Sequence, residues 1–274
     1  MSKFADLHIH THYSDGTLTP QEVVSQALET QLCCIAITDH DTIEGIKPVT
    51  EAAASCDLEV IAGIEVSSHI HSKDIHILGY FVDCDSSPFL HRLKKLQAQR
   101  LERMQAMIGK LKKLGIDNID LAQVKGLARS DSVGRPHLAA LLKTKGWVGS
   151  VREAFDRFIG EGAPAYEGHC HLSPFEAIDL INQAKGVAVL AHPMVTQKDE
   201  LIPSLVEAGL KGLEVFYPEY SANAISYYQN LAKKHGLICT GGSDAHGKNR
   251  PSTYIGKKSV PYLVVEQLKQ LKGF

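Results

Sequence analysis

The segment FADLHIH occupies residues 4–10 and decides the fold. In an extended strand, residues two apart point to the same side, so the apolar members of this segment share one face. Asp6, His8 and His10 share the other face, and the two histidines lie towards the carboxyl end of the strand. An apolar face that can pack on helices, with reactive groups at the carboxyl end, is typical of an α/β barrel.

Six further short apolar segments follow and alternate with helical patterns. This alternation favours βα units with a parallel sheet over an antiparallel sandwich. The seven predicted strands are 4–10, 33–39, 58–65, 74–81, 187–191, 212–217 and 237–241. Two intervening helices begin as capping boxes, because Thr19 and Ser173 are each followed by proline and, three residues on, by Glu22 and Glu176. We therefore expect an α/β fold that forms a single barrel.

The alternation stops between residues 88 and 168. Leucine, isoleucine and methionine recur there at helical spacing, which predicts a long amphipathic helix that ends near Gly115. Two more helices are predicted at 135–145 and 150–159. We expect residues 1–87 and 169–274 to form the barrel, and 88–168 to form a helical insertion that caps its active site.

The composition is that of a protein that folds in water. Hydrophobic residues make up 44% of the 274 residues, and no apolar run approaches the length of a membrane span. The first residues carry charge where a secretory signal would be apolar, so we expect a cytoplasmic protein with no membrane association. The six cysteines form no C-x-x-C pair, which suits a reducing compartment, and we expect them to be small buried hydrophobic residues.

The charge is unevenly distributed along the chain. Residues 91–157 contain 15 Lys and Arg against 6 Asp and Glu, whereas the rest contains 14 against 25. The acidic part could therefore hold cations and the basic part phosphates, although solvated helix faces would also explain the basic residues.

Histidines and carboxylates recur at the ends of the predicted strands. A single His-x-His pair is weak evidence, and we interpret His69-Ile70-His71 as a loop feature. The recurrence, however, brings nine candidate catalytic metal ligands to one rim of the barrel. They are His8, His10, Asp15, His40, Glu65, His76, His192, Asp244 and His246. Burying so many polar groups without a purpose would be costly, so the pattern predicts a metal site.

The composition of this set indicates more than one metal ion. Six imidazoles and three carboxylates exceed the needs of one tetrahedral ion and suit two or three divalent ions. Mixed nitrogen and oxygen ligands fit Mn, Zn or Fe better than Ca or Mg. Asp6, Asp39 and Asp41 could orient the ligand imidazoles, although helix capping or ion pairing would explain them equally well.

These motifs resemble those of the polymerase and histidinol phosphatase (PHP) family over nearly the whole chain. The resemblance rests on residues 6–10, 14–16, 38–41, 63–65, 191–193 and 242–246. It implies a distorted seven-stranded barrel with a trinuclear metal site, and among Mn, Zn and Fe we expect Mn. By this resemblance, three ligand sets would hold one ion each: His8, His10, Glu65 and Asp244; Glu65, His76 and His192; and Asp15, His40 and His246.

The predicted insertion carries Val133-Gly134-Arg135-Pro136-His137. This motif resembles bacterial PHP enzymes that act as 3',5'-nucleotide bisphosphate phosphatases and 5'-to-3' exoribonucleases. The resemblance implies that Arg135 and His137 face bound phosphate, and that the substrate is a nucleotide 3',5'-bisphosphate or short RNA. The same residues would also suit a plain helix start with Pro136 at the first helical position. His137 could protonate a leaving ribose oxygen or only bind phosphate.

The expected reaction is in-line attack on phosphorus by water that the cations activate. The sequence shows no serine or cysteine in a motif that would pair it with an activating base, which argues against a phosphorylated-enzyme intermediate. A histidinol-phosphate phosphatase is an alternative, although the basic insertion argues against it. An amidohydrolase-type deaminase is a more distant alternative, because it is also a barrel with His-x-His on its first strand. It would not need Asp15 or the Asp244–His246 pair, which argues against it. A nonenzymatic PHP scaffold would normally accompany a polymerase. The sequence indicates no obligate protein partner.

Overall fold

The computed structural model describes residues 3–70, 73–128, 130–168 and 172–273. Within these ranges, eight strands form one sheet in the order β7-β6-β5-β4-β3-β2-β1-β8. They are β1 (Phe4–Ile9), β2 (Cys34–Ile37), β3 (Glu59–Ile70), β4 (Lys73–Tyr80), β5 (Val187–Leu190), β6 (Gly212–Phe216), β7 (Ile238–Gly241) and β8 (Val260–Pro261). The seven predicted strands are present, and β8 is the additional one.

The sheet is mixed, so the prediction of a parallel sheet is wrong in part. β4 runs antiparallel to β3 and to β5, β8 runs antiparallel to β1, and the other neighbours are parallel. The long ladder between β3 and β4 pairs Gly63 with Tyr80 and Ile70 with Lys73. Since β3 extends this far, His69 and Ile70 lie in a strand and not in a loop, while His71 lies outside the described residues.

The segment that follows β7, at one end of the sheet, meets the carboxyl end of β1, the strand next to the other end. Ile9 forms a parallel bridge with Ala245, and the N–H of His10 donates to the carbonyl of Ala245 over 3.0 Å. This contact, across more than 230 residues of chain, bends the sheet into a nearly closed barrel. The predicted α/β barrel is confirmed, with eight strands in place of seven.

The helices surround this sheet. They are α1 (Pro20–Glu29), α2 (Ile46–Ala53), α3 (Ser87–Lys113), α4 (Leu121–Leu127), α5 (Arg135–Thr144), α6 (Val151–Ala154), α7 (Pro174–Gln183), α8 (Pro193–Thr196), α9 (Ile202–Glu207), α10 (Ala222–Lys234) and α11 (Leu263–Lys272). A π-helical turn at Phe155–Ile159 continues α6, and 3-10 turns lie at Asp199–Leu201 and Gly247–Asn249. Both predicted capping boxes are present, at Thr19 and at Ser173.

Apolar residues of β1 pack on helices as its pattern predicts. Leu7 lies in a cluster with Val265 and Leu268 of α11, and Ile9 lies in another with Val23 of α1. The polar face of β1 is also fully buried, because His8 and His10 have no exposed surface. β1 is therefore enclosed on both sides, and its histidines need partners within the protein.

The second half of α3 and the helices that follow it, as far as the π turn, have an apolar cluster of their own, whereas Phe89 and Leu93 in the first half of α3 pack in the cluster of the barrel. Met107 and Ile108 of α3 pack there with Leu138 of α5 and Ile159 of the π turn. The predicted helix end near Gly115 is close to the observed one at Lys113, whereas α4 was not predicted. This separate cluster supports the division into a barrel and an inserted cap, which stays a prediction.

The cysteines are less buried than expected. Cys34 is buried, whereas Cys33, Cys56, Cys84 and Cys239 are partly exposed, and all five are free thiols. Cys170 lies outside the described residues. Among the described helices, none combines the length and the apolar character needed to cross a membrane.

Candidate metal centre

The strand ends bring the predicted ligands together in one buried group. Their ligand atoms form three overlapping sets, and within each set all atoms lie within 4.8 Å of one another. The sets are His8, His10, Glu65 and Asp244; His10, Asp15, His40 and His246; and His40, Glu65 and His76. His192, the ninth residue, joins them through its Nε2, which lies 3.0 Å from Glu65 Oε1.

The first set converges on a single point. The Nε2 atoms of His8 and His10 lie 3.1 Å apart, and Glu65 Oε2 lies 3.2 Å from the former and 3.1 Å from the latter. Asp244 Oδ1 lies 3.4 Å from His8 Nε2 and 3.2 Å from His10 Nε2. Four atoms with lone pairs thus face one another in a buried space, which is the arrangement that a cation stabilises.

Glu214 orients His8 within this set. Its Oε1 accepts from His8 Nδ1 over 2.8 Å, and its Oε2 accepts the backbone N–H of His192 over 2.8 Å. Because Nδ1 carries the proton of this hydrogen bond, Nε2 presents its lone pair to Glu65 and Asp244. Burial opposes charge on His8, but Glu214, Asp244 and Glu65 outweigh it and raise the pKa of His8 well above its ordinary value. The field at this point therefore favours positive charge.

The second set is arranged by the same principle. His246 Nδ1 donates to the carbonyl of Asp244 over 2.9 Å, so its Nε2 faces Asp15 Oδ1 at 3.2 Å. Asp15 Oδ1 and His40 Nδ1 are buried without a hydrogen-bond partner. Burial lowers the pKa of His40 well below its ordinary value, against the pull of Glu65 and Asp15, so the ring stays neutral. A neutral imidazole is the form that binds metal.

Glu65 lies between the sets. Its Oε1 is 2.9 Å from His76 Nδ1 and 3.0 Å from His192 Nε2, whereas its Oε2 faces His8, His10 and His40. A carboxylate whose two oxygens face different imidazoles suits a bridge between two ions. The structure also places His40 beside Glu65 and His76, and His10 beside Asp15, so the partition of ligands among three ions stays a prediction.

Two of the nine residues have a left-handed backbone. The φ angle is +27° at His192 and +50° at Asp244, a conformation that costs energy in residues other than glycine. Hydrogen bonds hold both residues: Glu214 accepts the N–H of His192, and Thr253 Oγ1 donates to the carbonyl of Asp244. Strain retained at such positions is typical of functional sites.

Asp6 does not orient a ligand imidazole, so that interpretation is wrong for Asp6, and Asp39 reaches one only through the hydroxyl of Ser14, whose Oγ lies 3.5 Å from His10 Nδ1. Asp6 accepts the backbone N–H groups of Ser243 and Gly256, and burial raises its pKa to about 6. Asp39 accepts hydrogen bonds from Thr11 and from the hydroxyl of Ser14. Both carboxylates fix the loops that carry the ligands.

Asp41 forms an ion pair, which was the second interpretation, because its Oδ2 lies 2.5 Å from Arg100 Nε.

The carboxylate that does orient a ligand imidazole is Glu214, which the sequence reasoning missed. The available signal was a charged residue in the middle of a predicted apolar strand. Tyr217 and Arg250 were also missed, and both bind Asp244 Oδ2, over 2.7 and 2.5 Å.

Arg135 and His137 lie in different environments. Arg135 lines a cavity beside the metal centre, binds Asp74 Oδ2 over 3.2 Å and lies over the rings of Phe155 and Tyr166. His137 is only 6% exposed, and its Nδ1 accepts the backbone N–H of Gly134 over 3.0 Å.

His137 therefore caps α5, as the helix-start alternative implies, with Arg135 and then Pro136 as the first two helical residues. Burial lowers the pKa of His137. A contact between His137 and substrate stays a prediction that this placement does not favour.

The barrel and its buried centre define a metal-dependent enzyme of α/β type. Residues 6–240 match the PHP domain model, and the chain belongs to the PHP family of metal-dependent phosphoesterases. The 3',5'-nucleoside bisphosphate phosphatase of Chromobacterium violaceum is 31% identical, over 92% of this chain and 90% of that protein. The 5'-3' exoribonuclease Rnm of Escherichia coli is 32% identical, over 92% and 88%.

Two further proteins extend this comparison. The phosphoribosyl 1,2-cyclic phosphate 1,2-diphosphodiesterase of Eggerthella lenta is 30% identical, over 92% of this chain and 97% of its own. A crystal structure described as a metal-dependent phosphoesterase of Bifidobacterium adolescentis has a TM-score of 0.89 and 29% identity, covering 98% of this chain and 96% of the other. This protein is accordingly a phosphoesterase, while its relatives act on different phosphate esters.

Proposed function

We propose that this enzyme removes the 3'-phosphate from nucleotide 3',5'-bisphosphates and that it degrades short 5'-phosphorylated RNA in the 5'-to-3' direction. Both substrates carry a second phosphate beside the bond that is cleaved. The observation that carries the proposal is a basic cavity that opens directly on the metal centre. Two of the relatives bear the names of these activities.

The basic cavity, which we call the arginine cavity, has a volume of about 110 Å³. Its metal-centre side consists of Asp15, His40 and His76, and its other side contains Arg100, Arg103 and Arg135. Burial, and then the neighbouring Arg135, lower the pKa of Arg103 to about 10.

Asp41 and Asp74 pair with Arg100 and Arg135. Arg100 is buried, and Arg103 and Arg135 are half-buried. The three guanidinium groups exceed the two carboxylates by one positive charge, which favours an anion, and guanidinium binds phosphate with forked hydrogen bonds.

This arrangement gives the metal ligands, the groups that orient them and the arginine different roles in the reaction. The nine predicted ligands would hold two or three divalent ions, with Mn, Zn or Fe suited to the mixed donors. Such ions activate water and neutralise charge on the phosphoryl oxygens. Glu214 and the carbonyl of Asp244 fix the tautomers of His8 and His246. Arg135 would orient the second phosphate, so that the 3'-ester lies at the centre.

A comparison of four substrates at one metal concentration tests the proposal. They are adenosine 3',5'-bisphosphate, a 5'-phosphorylated tetraribonucleotide, histidinol phosphate and phosphoribosyl 1,2-cyclic phosphate. We expect the first two to have the highest kcat/KM. A higher value for histidinol phosphate or for the cyclic ester, or no turnover of either of the first two substrates, would contradict the proposed substrate class.

A further inference from the structure

A second cavity lies against the same helical residues as the arginine cavity. It has a volume of about 190 Å³, and its lining consists of Pro136, Val151, Phe155, His246, Asn249 and Arg250. Pro136 and Phe155 line both cavities and therefore form the wall between them. His246 links the second cavity to the metal centre, because its Nε2 faces Asp15 at 3.2 Å. Both cavities thus adjoin the predicted metal ions and each other.

The lining of this cavity combines an apolar wall with fixed polar groups. Pro136, Val151 and Phe155 supply the apolar surface. The side chain of Asn249 donates to the carbonyl of Asp15 over 2.8 Å, and Arg250 is held by Asp244 and Glu219 at 2.5 and 2.7 Å. The polar groups are therefore preorganised. An aromatic wall opposite fixed polar groups suits a flat ring with a hydrogen-bonding edge.

The backbone gives Phe155 a special position. Phe155 opens the π-helical turn, a rare form that occurs frequently at functional sites. The guanidinium of Arg135 lies 5.5 Å from the centre of its ring, so Phe155 adjoins the arginine proposed to bind the second phosphate. Phe158 belongs to the same turn but lines neither cavity, and Arg157 lies 4.7 Å from its ring centre.

We propose that Phe155 is the platform on which the nucleobase of the substrate stacks in this second cavity. The inference rests on the proposed function, because a nucleotide with one phosphate in the arginine cavity and the other at the metal centre must place its nucleoside beside both. The shared wall of Pro136 and Phe155 is the apolar surface in that position. Stacking tolerates every base, so the enzyme should show little preference among adenine, guanine, cytosine and uracil.

Calorimetric binding of adenosine 5'-monophosphate and of ribose 5-phosphate to the Mn-loaded protein tests this role, because the two ligands differ by the base. Phe155→Leu should weaken binding of the nucleotide about 5- to 100-fold, and should weaken binding of the sugar phosphate much less. Phe155→Tyr should retain the difference between the ligands. Phe158→Leu, the same change in the same turn, should leave the ratio of the two affinities at the wild-type value.

The outcomes separate the two proposals. An unchanged affinity ratio in Phe155→Leu, or an equal loss for both ligands, overturns the stacking role even if the bisphosphate is a good substrate. A selective loss for the nucleotide supports the stacking role even if the bisphosphate is a poor substrate. If Phe155→Leu does not fold, Val151→Met is the substitute, because Val151 lines the second cavity but not the arginine cavity. It should narrow the second cavity and weaken binding of the nucleotide more than binding of the sugar phosphate, and an unchanged ratio of the two affinities would overturn the proposal.

Discussion

Arg100 Nε donates to Asp41 Oδ2 over 2.5 Å, and this buried ion pair joins α3 to the loop that carries His40. Gln97 adds a hydrogen bond to the carbonyl of Asp41, whose φ angle is +51°. The hydroxyl of Ser132 donates to the carbonyl of His40. Residues of α3 and of the segment before α5 therefore bind the carbonyl groups of two consecutive residues, His40 and Asp41, at the metal centre.

Arg100→Met should lower the free energy of unfolding by about 3–5 kcal/mol, because it leaves Asp41 as an unpaired buried charge. It should also weaken metal binding, since the residue that follows His40 loses its ion pair with α3. Urea denaturation and metal analysis measure the two effects. Arg152→Met removes an exposed ion pair with Asp156 and should change neither. Equal stability in the two variants would contradict the role given to Arg100.

The purified protein should bind two to three transition-metal ions per chain, because nine nitrogen and oxygen ligands, eight in the three sets and His192 beside Glu65, exceed what one ion can use. Elemental analysis after reconstitution with Mn measures this ratio. A ratio of one or less with full activity would rule out a multinuclear centre.

Glu214→Gln should reduce metal affinity about 10- to 100-fold, because the neutral amide holds the imidazole of His8 less firmly in the tautomer that exposes Nε2. Competition with a metal chelator measures the affinity, and circular dichroism checks the fold. Glu207→Gln, an exposed change at the end of α9, is the control. Equal metal affinity in both variants would show that Glu214 does not contribute to metal binding.

Asp244→Ala and His192→Ala should abolish hydrolysis while leaving the fold largely intact, since ligands at the barrel rim lie outside its apolar layers. Glu65→Ala should be at least as severe, because its two oxygens face separate groups of imidazoles. Turnover at saturating Mn, with melting temperature as the control, measures both effects. Turnover near that of the wild type would show that these residues are not essential metal ligands.

Arg135→Ala should lower kcat/KM for adenosine 3',5'-bisphosphate about ten- to a hundredfold, because a charge-assisted contact to phosphate is lost. The loss should be much smaller for a monophosphate that lacks the second group. Equal losses on both would instead place Arg135 at the transferred phosphoryl group. Arg135→Lys keeps the charge without the forked geometry, and should recover only part of the rate. Unchanged kinetics on every substrate would refute a binding role.

Local patterns in the sequence determined the elements and the candidate ligands. Short apolar segments between helical patterns placed seven strands within five residues of their observed bounds, and the capping boxes placed the starts of α1 and α7. Eight of the nine candidate ligands follow from these strands, since residues at strand ends and just after them share one rim of a barrel. His76, near the start of β4, reaches the same rim because β4 is antiparallel. Such features depend on neighbours in the chain, which the sequence displays directly.

Only the tertiary structure decided which groups meet. β4 became antiparallel because its partners are β3 and β5, and no local pattern encodes a strand's direction. Glu214, not Asp6, holds the ring of His8 from 206 residues away, and Asp41 took Arg100 as its partner. His137 caps its own helix, although the motif alone allowed a substrate contact. A buried polar group bonds whichever partner the fold brings within reach, and that distance is set by packing across the whole chain.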